Sequence, residues 1–284
     1  MAQITTLATA VQSVMRDELT VAFEGFTHLI PHAAAHEVLR QGFTNLTLIR
    51  MTPDVIYDQM IGMGRVRKLI FSYAGNPGVG LLRRLRDATE RGWPRKIEIV
   101  EHSHAAMANA YEAGASNLPF AVLRGYLGAG LKEVNDQIKQ VTCPFTGETL
   151  AAVPGLRPDV TFIHAQKADK KGNVLIEGIV GVQKQAVLAA AQSVITVEEI
   201  VDDLNAHPNA VVLPHWAVGM IAVVKGGAHP SYAHGYYQRD NAAYLEWDKI
   251  AADRDQFLEW MDRHVLNASV DDFAKRAAPL RTEV

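Results

Sequence analysis

An open α/β fold, a largely parallel sheet with helices on both faces, is the class this 284-residue sequence predicts. The first observation behind it is rhythm: short apolar runs alternate with segments of helical period from residue 4 to residue 115. Strands that alternate with helices pair in parallel, because each crossover helix carries the chain back to the same end of the sheet. The second is continuity: no internal repeat, low-complexity run or linker divides the chain, so one domain over residues 1–284 is expected. The third is composition, with 48% hydrophobic and 21% charged residues, enough apolar material for a sizeable core.

The elements follow in order. Ile4, Leu7, Val11 and Val14 recur at helical spacing over residues 4–16. "LTVAFEG" then reads as a buried strand closed by Gly25, followed by a helix over His32 to Gln41 and the strand "NLTLIRM". A helix near Val55 to Met63, the strand "VRKLIFSYAG" and the helix "GVGLLRRLRDATERG", stopping at Gly92, come next. "KIEIVEHS" is a fourth strand, and "HAAMANAYEAGA" a helix closed by Gly114. The middle is richer in turns: a hairpin-like segment around Pro144 to Gly147, the strands "VTFIHAQ" and "VLIEG" about the turn "DKKGN", the helix "GVQKQAVLAAAQ", and the strands "SVITVEEI" and "NAVVLP". From about residue 241 a charged, aromatic tail reads as helical.

Bulk properties exclude several functions. A formal charge of −3 argues against a nucleic-acid partner, since such proteins carry a basic face. The single cysteine, Cys143, rules out an internal disulfide framework and fits a reducing cytoplasm. The N-terminal segment lacks the basic start of a secretory signal, and no run approaches the ~20 apolar residues that cross a bilayer.

Histidines 28, 32 and 36 stand four apart, but His28 precedes Pro31 and so belongs to the loop before the helix. No glutamate follows the first histidine as a zinc-protease motif requires, and His102/His104 have no carboxylate at metal spacing, so a metal site is not expected. "GNPGVG" (Gly75 to Gly80) follows a strand and precedes a helix, where backbone N–H groups could face an anion. It has neither the Gly-Lys-Ser/Thr of a phosphate loop nor dinucleotide-type glycine spacing. Gly25-Phe26, Ser72 to Gly80 and Glu101 to His104 all lie at strand ends, which in an open parallel sheet line one crevice. Glu101 there could act as base or nucleophile, or orient the loop amides. "GGAHPSYAHGYYQRDN" (Gly226 to Asn241) gathers His229, His234, Tyr236, Tyr237, Arg239 and Asp240, suited to an anionic ligand or to a partner chain.

Several long segments carry a resemblance: "FEGFTHLIPHAAAHEVLRQG", "RKLIFSYAGNPGVG", "EHSHAAMANAYEAGASNLPFAVLRGY", "VTCPFTGE", "HAQKADKKGNVL" and "VEEIVDDLNA". Together they resemble the A (alpha) subunits of family I CoA-transferases, in the glutaconate CoA-transferase-like form, from about residue 4 to residue 265. The resemblance implies a NagB/RpiA-like CoA-transferase fold and a cytoplasmic enzyme, active as a heterodimer or heterotetramer with a homologous B subunit. It implies ping-pong transfer of CoA from succinyl-CoA to 3-oxoadipate, as in the β-ketoadipate pathway of aromatic catabolism. The nucleophilic glutamate is expected on the B subunit, with no catalytic nucleophile here, no permanently bound cofactor, and a CoA thioester as substrate. Covalent catalysis by a carboxylate divides one hard acyl exchange into easier steps.

On this chain the resemblance implies an acyl pocket shaped by Gly25, Phe26, Gly75, Asn76, Glu101 and Ser103, with Arg124 meeting a distal carboxylate. Gly25-Phe26 matches the glycine-glycine-phenylalanine turn of the alpha-type subunits, whose N–H groups serve as oxyanion-type donors. Glu24 departs from the glycine of many relatives, and near an acyl-CoA pocket it must find a partner or point away. "YLGAGL" (126–131) replaces the family's "GLGTDL", losing its aspartate. The alternatives are another dicarboxylate acceptor, a ring-cleaving acyl-CoA hydrolase with Glu101 as base, and a non-catalytic scaffold subunit.

Overall fold

A computed structural model of the protein describes residues 2–126 and 128–281. The chain enters through β1 (Gln3–Ile4) and α1 (Leu7–Val14), whose start is fixed by Thr6 Oγ1 accepting from Thr9 N at 3.2 Å. Then β2 (Thr20–Glu24), α2 (His32–Arg40), β3 (Leu46–Arg50), α3 (Val55–Gly62), β4 (Val66–Phe71), α4 (Arg83–Glu90), β5 (Glu98–Glu101) and α5 (His104–Ala115) alternate as the apolar rhythm requires. β6 (Phe120–Leu123), the single turn α6 (Leu131–Val134), β7 (Lys139–Thr142) and β8 (Thr149–Pro154) build a separate antiparallel sheet in the order β6-β8-β7.

The chain returns to the main sheet with β9 (Val160–Asp169), β10 (Val174–Ile176), α7 (Gln183–Ala189), β11 (Gln192–Val201), β12 (Val211–Leu213) and β13 (Met220–Val223). Helices α8 (Asn241–Ile250), α9 (Arg254–Met261) and α10 (Asp272–Ala277) close it. The main sheet runs β1-β13-β11-β9-β2-β3-β4-β5, all parallel, with β10 and β12 attached antiparallel beside β9.

Alternation along the strands sends side chains to opposite faces of the sheet, where three hydrophobic clusters form, one of them around Ile163, Ile195 and Ile221. Phe23 and Leu48 face a core built with α1, α2 and α3; Ala22 and Ile49 face the opposite core, built with Met107 and Tyr111 of α5 and Ala186 of α7. The charged tail belongs to the first core, because Trp247, Phe257, Met261 and Phe273 pack into it.

Three local expectations are corrected. α4 begins at Arg83, not within "GNPGVG", because Asn76 and Gly80 close a loop on themselves (Asn76 N to Gly80 O, 2.8 Å; Gly80 N to Asn76 O, 3.0 Å). Asp58 of α3 then fixes the helix start, its Oδ1 accepting from Arg84 N and Leu85 N at 2.8 Å each. Gly114 lies inside α5 instead of ending it, and an added Cβ there would stand 1.8 Å from the Leu156 carbonyl oxygen. Ile4 belongs to β1 and not to the first helix, which spans Leu7–Val14, and β1 with β13 completes one edge of the main sheet.

Candidate functional site

Parallel pairing delivers the C-terminal ends of β2, β3, β4, β5, β9 and β11 to one edge of the sheet. The segment that leaves β2 there is the most constrained. Thr27 and Leu29 are held at φ values of 56° and 52°, a left-handed region costly for side chains that bear a Cβ. Gly25 is enclosed: an added Cβ would lie 2.8 Å from Leu29 O, 2.9 Å from His28 O and 2.9 Å from Ile30 Cα. Phe26 lies against Gly181, whose added Cβ would come within 2.9 Å of the Phe26 Cβ.

His28 pins this turn to two other loops. Its Nε2 accepts from His234 N at 3.0 Å, so Nδ1 carries the proton and donates to Ile179 O at 3.1 Å. Burial holds the imidazole neutral, pulling its pKa down to about 4. His36 is bonded to Gln59 Oε1 at 2.8 Å instead, and burial lowers it to about 3. His28 thus stands apart from His32 and His36, whose rings meet edge to face at 6.3 Å. Among the described residues no group of three or more His, Cys, Asp or Glu is placed to hold a metal ion.

Under the turn lies a buried ionic group. Glu24 points inward, accepting from Tyr111 Oη at 2.8 Å and Met51 N at 3.2 Å. Burial pushes its pKa up to about 7 although the Arg50 charge draws it down. Arg50, 1% exposed, donates through NH2 to Gly25 O at 2.8 Å and through NH1 to Asp54 Oδ1 at 3.0 Å. Asp54 in turn caps α3 by accepting from Ile56 N.

Beside the turn, the strands β9 and β11 and the segment 225–237 enclose a cleft of about 870 Å³. Lys167, Glu177, Glu199, Lys225, His234 and Tyr236 line it, a mixed-charge wall of a size that accepts a drug-sized ligand. Its floor is locked by Glu198, which accepts from Gly226 N (2.9 Å) and Tyr237 Oη (3.0 Å) and pairs with His164 Nε2 (2.8 Å). Burial raises the Glu198 pKa, but these donors outweigh it and the net shift is downward.

The other residues singled out from sequence have separate places. Asn76 donates from Nδ2 to Tyr244 O at 2.8 Å, and an added Cβ on Gly75 would meet Tyr73 Oη at 2.9 Å. The amides of Asn76, Val79 and Gly80 are bonded within that loop, so they form no open anion cradle. Glu101 is exposed at the end of edge strand β5, and what holds it is its backbone carbonyl, which accepts from Asn135 Nδ2 at 2.7 Å. Ser103 caps α5, its Oγ accepting from Ala106 N at 3.2 Å. Arg124 makes a two-pronged pair with Glu148 (2.9 and 3.0 Å) on the exposed surface of the small sheet. Residue 127, within "YLGAGL", lies outside the described residues.

The structure thus joins Thr27, His28 and Leu29, directly after Gly25-Phe26, to the Gly226–Asn241 stretch that the sequence singled out, and gives Glu101, Ser103 and Arg124 surface or capping partners. Arg50, His164, Glu198 and Lys167 were not legible as site residues, since each gains its role from partners distant in sequence.

Comparison with known proteins bears directly on this arrangement. The signature of the coenzyme A transferase family matches residues 4–223. The A (alpha) subunit of the 3-oxoadipate CoA-transferase of Pseudomonas knackmussii is 63% identical over 265 residues, 93% of this chain and 94% of that protein. The crystal structure of glutaconate coenzyme A-transferase from Acidaminococcus fermentans superposes with a TM-score of 0.91 at 30% identity, over 99% of this chain and 96% of that one. The cholesterol ring-cleaving hydrolase IpdA subunit of Rhodococcus jostii is 24% identical over 91% of this chain and 90% of its own length.

Proposed function

This chain belongs to the coenzyme A transferase family, and from that premise we propose that it is the alpha-type subunit of a 3-oxoadipate CoA-transferase. The observation that carries the reading is 63% identity, over 93% of the chain, to the corresponding subunit of an enzyme of that name. In this reading CoA passes from succinyl-CoA to 3-oxoadipate through a covalent thioester on a glutamate of the B subunit, and this chain supplies half of the acyl site. The Gly25-Phe26 turn offers backbone N–H groups to the thioester oxygen as negative charge develops there. The adjoining cleft carries Lys225 on its mixed-charge wall, with Lys167 paired to Glu199 at 3.5 Å, and Lys225 suits an acceptor carboxylate.

The surface also supports a partner subunit. Val134 and Phe145, beside and within the small sheet, stand 81% and 93% exposed, large apolar groups that an interface would cover. No helix among the described residues is long and apolar enough to cross a membrane. The experiment is an acceptor comparison with the co-purified two-subunit complex and succinyl-CoA as donor. 3-Oxoadipate should be used at far higher kcat/KM than glutaconate or acetate, and equal or better use of glutaconate would reject the substrate assignment.

A further inference from the structure

Arg50 is a fully buried guanidinium whose NH2 donates to a neutral backbone carbonyl, that of Gly25, at 2.8 Å. Burying a charge is costly unless its interactions are well made, and the carbonyl of the buried Gly25 could be satisfied by a neutral donor. The investment is larger still. Asp54 holds the other arm of the fork at 3.0 Å, and the Tyr57 ring lies 5.6 Å from the guanidinium carbon. Glu24, itself tied to Tyr111 and Met51, adds a carboxyl close enough to act on the same charge.

What this apparatus grips is a single peptide unit. The Gly25-Phe26 bond is trans, so its N–H points opposite to its C=O. With the C=O drawn inward to Arg50, the Phe26 N–H is directed outward, and it donates to no acceptor among the described residues. A cation bonded to the carbonyl also withdraws electron density from the amide, which strengthens the N–H as a donor.

We propose that Arg50 is a positioning residue for CoA transfer, orienting and polarising the Gly25-Phe26 peptide so that its N–H meets the thioester oxygen. This rests on the transferase reading given above and adds to it the side chain that makes the turn an effective donor. Arg50 touches no substrate; it acts through the peptide. Asp54 keeps the guanidinium in place, and Glu24, bonded to Tyr111 and Met51, adds a nearby carboxyl.

The test uses the co-expressed two-subunit complex carrying Arg50→Lys, which keeps a buried cation but cannot reach Asp54 and Gly25 O together. Removing one oxyanion donor outright costs about 10²–10³ in kcat, so loss of its alignment should cost about tenfold or more, with KM within about threefold. Isotope-edited infrared spectra of bound acyl-CoA give a second readout. The thioester carbonyl stretch, lowered in the wild type by the donor, should return toward its free value in the variant, which a merely structural Arg50 would not cause. If Arg50→Lys does not assemble, Asp54→Asn, which keeps the helix cap and loosens the guanidinium, should show the same two changes in smaller measure. Unchanged kcat and stretch in an assembled variant would overturn the proposal while Gly25→Ala still lowers kcat at least about tenfold. A wild-type complex with no CoA transfer at all would overturn the transferase reading and this inference with it.

Discussion

Replacing Gly25 by alanine puts one methyl group into the most constrained point of the candidate site. The three atoms it meets, Leu29 O, His28 O and Ile30 Cα, are all backbone, at 2.8, 2.9 and 2.9 Å. No flexible side-chain end can yield, so the turn itself must move. Ordinary contact for a Cβ begins near 3.4 Å, so clearing the Leu29 oxygen requires a shift of 3.4 − 2.8 = 0.6 Å. Overpacking of this kind costs about 1–3 kcal/mol, and loss of the charge-assisted bond from Arg50 to Gly25 O costs about 1.5–3 kcal/mol more. Against a typical total stability of about 5–15 kcal/mol, the subunit should fold, though with a lower melting temperature. Activity should suffer more, since about 1 Å of misplacement can cost ~10²-fold. We therefore expect kcat of the complex to fall about 10- to 100-fold, with assembly of the two subunits by size-exclusion chromatography retained. The assay follows 3-oxoadipyl-CoA formation from succinyl-CoA and 3-oxoadipate. Wild-type kcat in an assembled Gly25→Ala complex would refute the oxyanion role of this turn and favour a scaffold subunit.

Three further predictions follow from particular residues. Glu101→Gln should leave transfer within about threefold, since the exposed carboxylate holds nothing in place among the described residues and the proposed function assigns the nucleophile to the other subunit; abolished turnover would instead favour the hydrolase reading with Glu101 as base. Gly114→Ala should destabilise the chain by at least about 3 kcal/mol, because the new Cβ would stand 1.8 Å from a backbone carbonyl between α5 and the start of β9; a melting temperature near wild type would show that this contact relaxes freely. The melting temperature should also fall between pH 7 and pH 5. Burial lowers six imidazoles, among them His28 to about 4 and His36 to about 3. Their stabilisation is full above the unfolded value of 6.5 and is lost as pH falls toward the folded values. Three buried carboxyls run the other way, with Glu24 raised to about 7, Asp58 to about 6 and Asp54 raised; their stabilisation is full below the unfolded values and lost as pH rises through the folded ones. The imidazoles are more numerous, so a melting temperature that rose on acidification would show that the carboxyls dominate.

The strand–helix alternation was legible because each unit carries its own period, and several helices carry a local cap. Asp54, Ser103, Asp240 and Asp253 each accept from the backbone one turn into a helix, which is local chemistry a sequence displays. What was not legible depends on pairs far apart. The start of α4 is set by Asp58, 26 residues before Arg84, and so the glycines of residues 75–80 suggested a helix origin that they do not form. Glu24 stood out as a charge in the wrong place; the partner that resolves it, Tyr111, lies 87 residues away on α5. Arg124 fitted a substrate carboxylate by residue type alone, whereas the fold gives it Glu148 on the neighbouring strand's hairpin. The Gly226–Asn241 stretch was recognisable by composition, and its role as a wall of the cleft needed β9 and β11 brought beside it.

The central claim, that this chain is one half of a CoA-transferase, is tested most directly by assaying it with and without its co-expressed B subunit. Succinyl-CoA and 3-oxoadipate are supplied and 3-oxoadipyl-CoA is measured. Transfer by the mixture, with none from this chain alone, is the predicted result. Turnover by this chain alone would contradict it, since the nucleophile would then have to be one of its own residues.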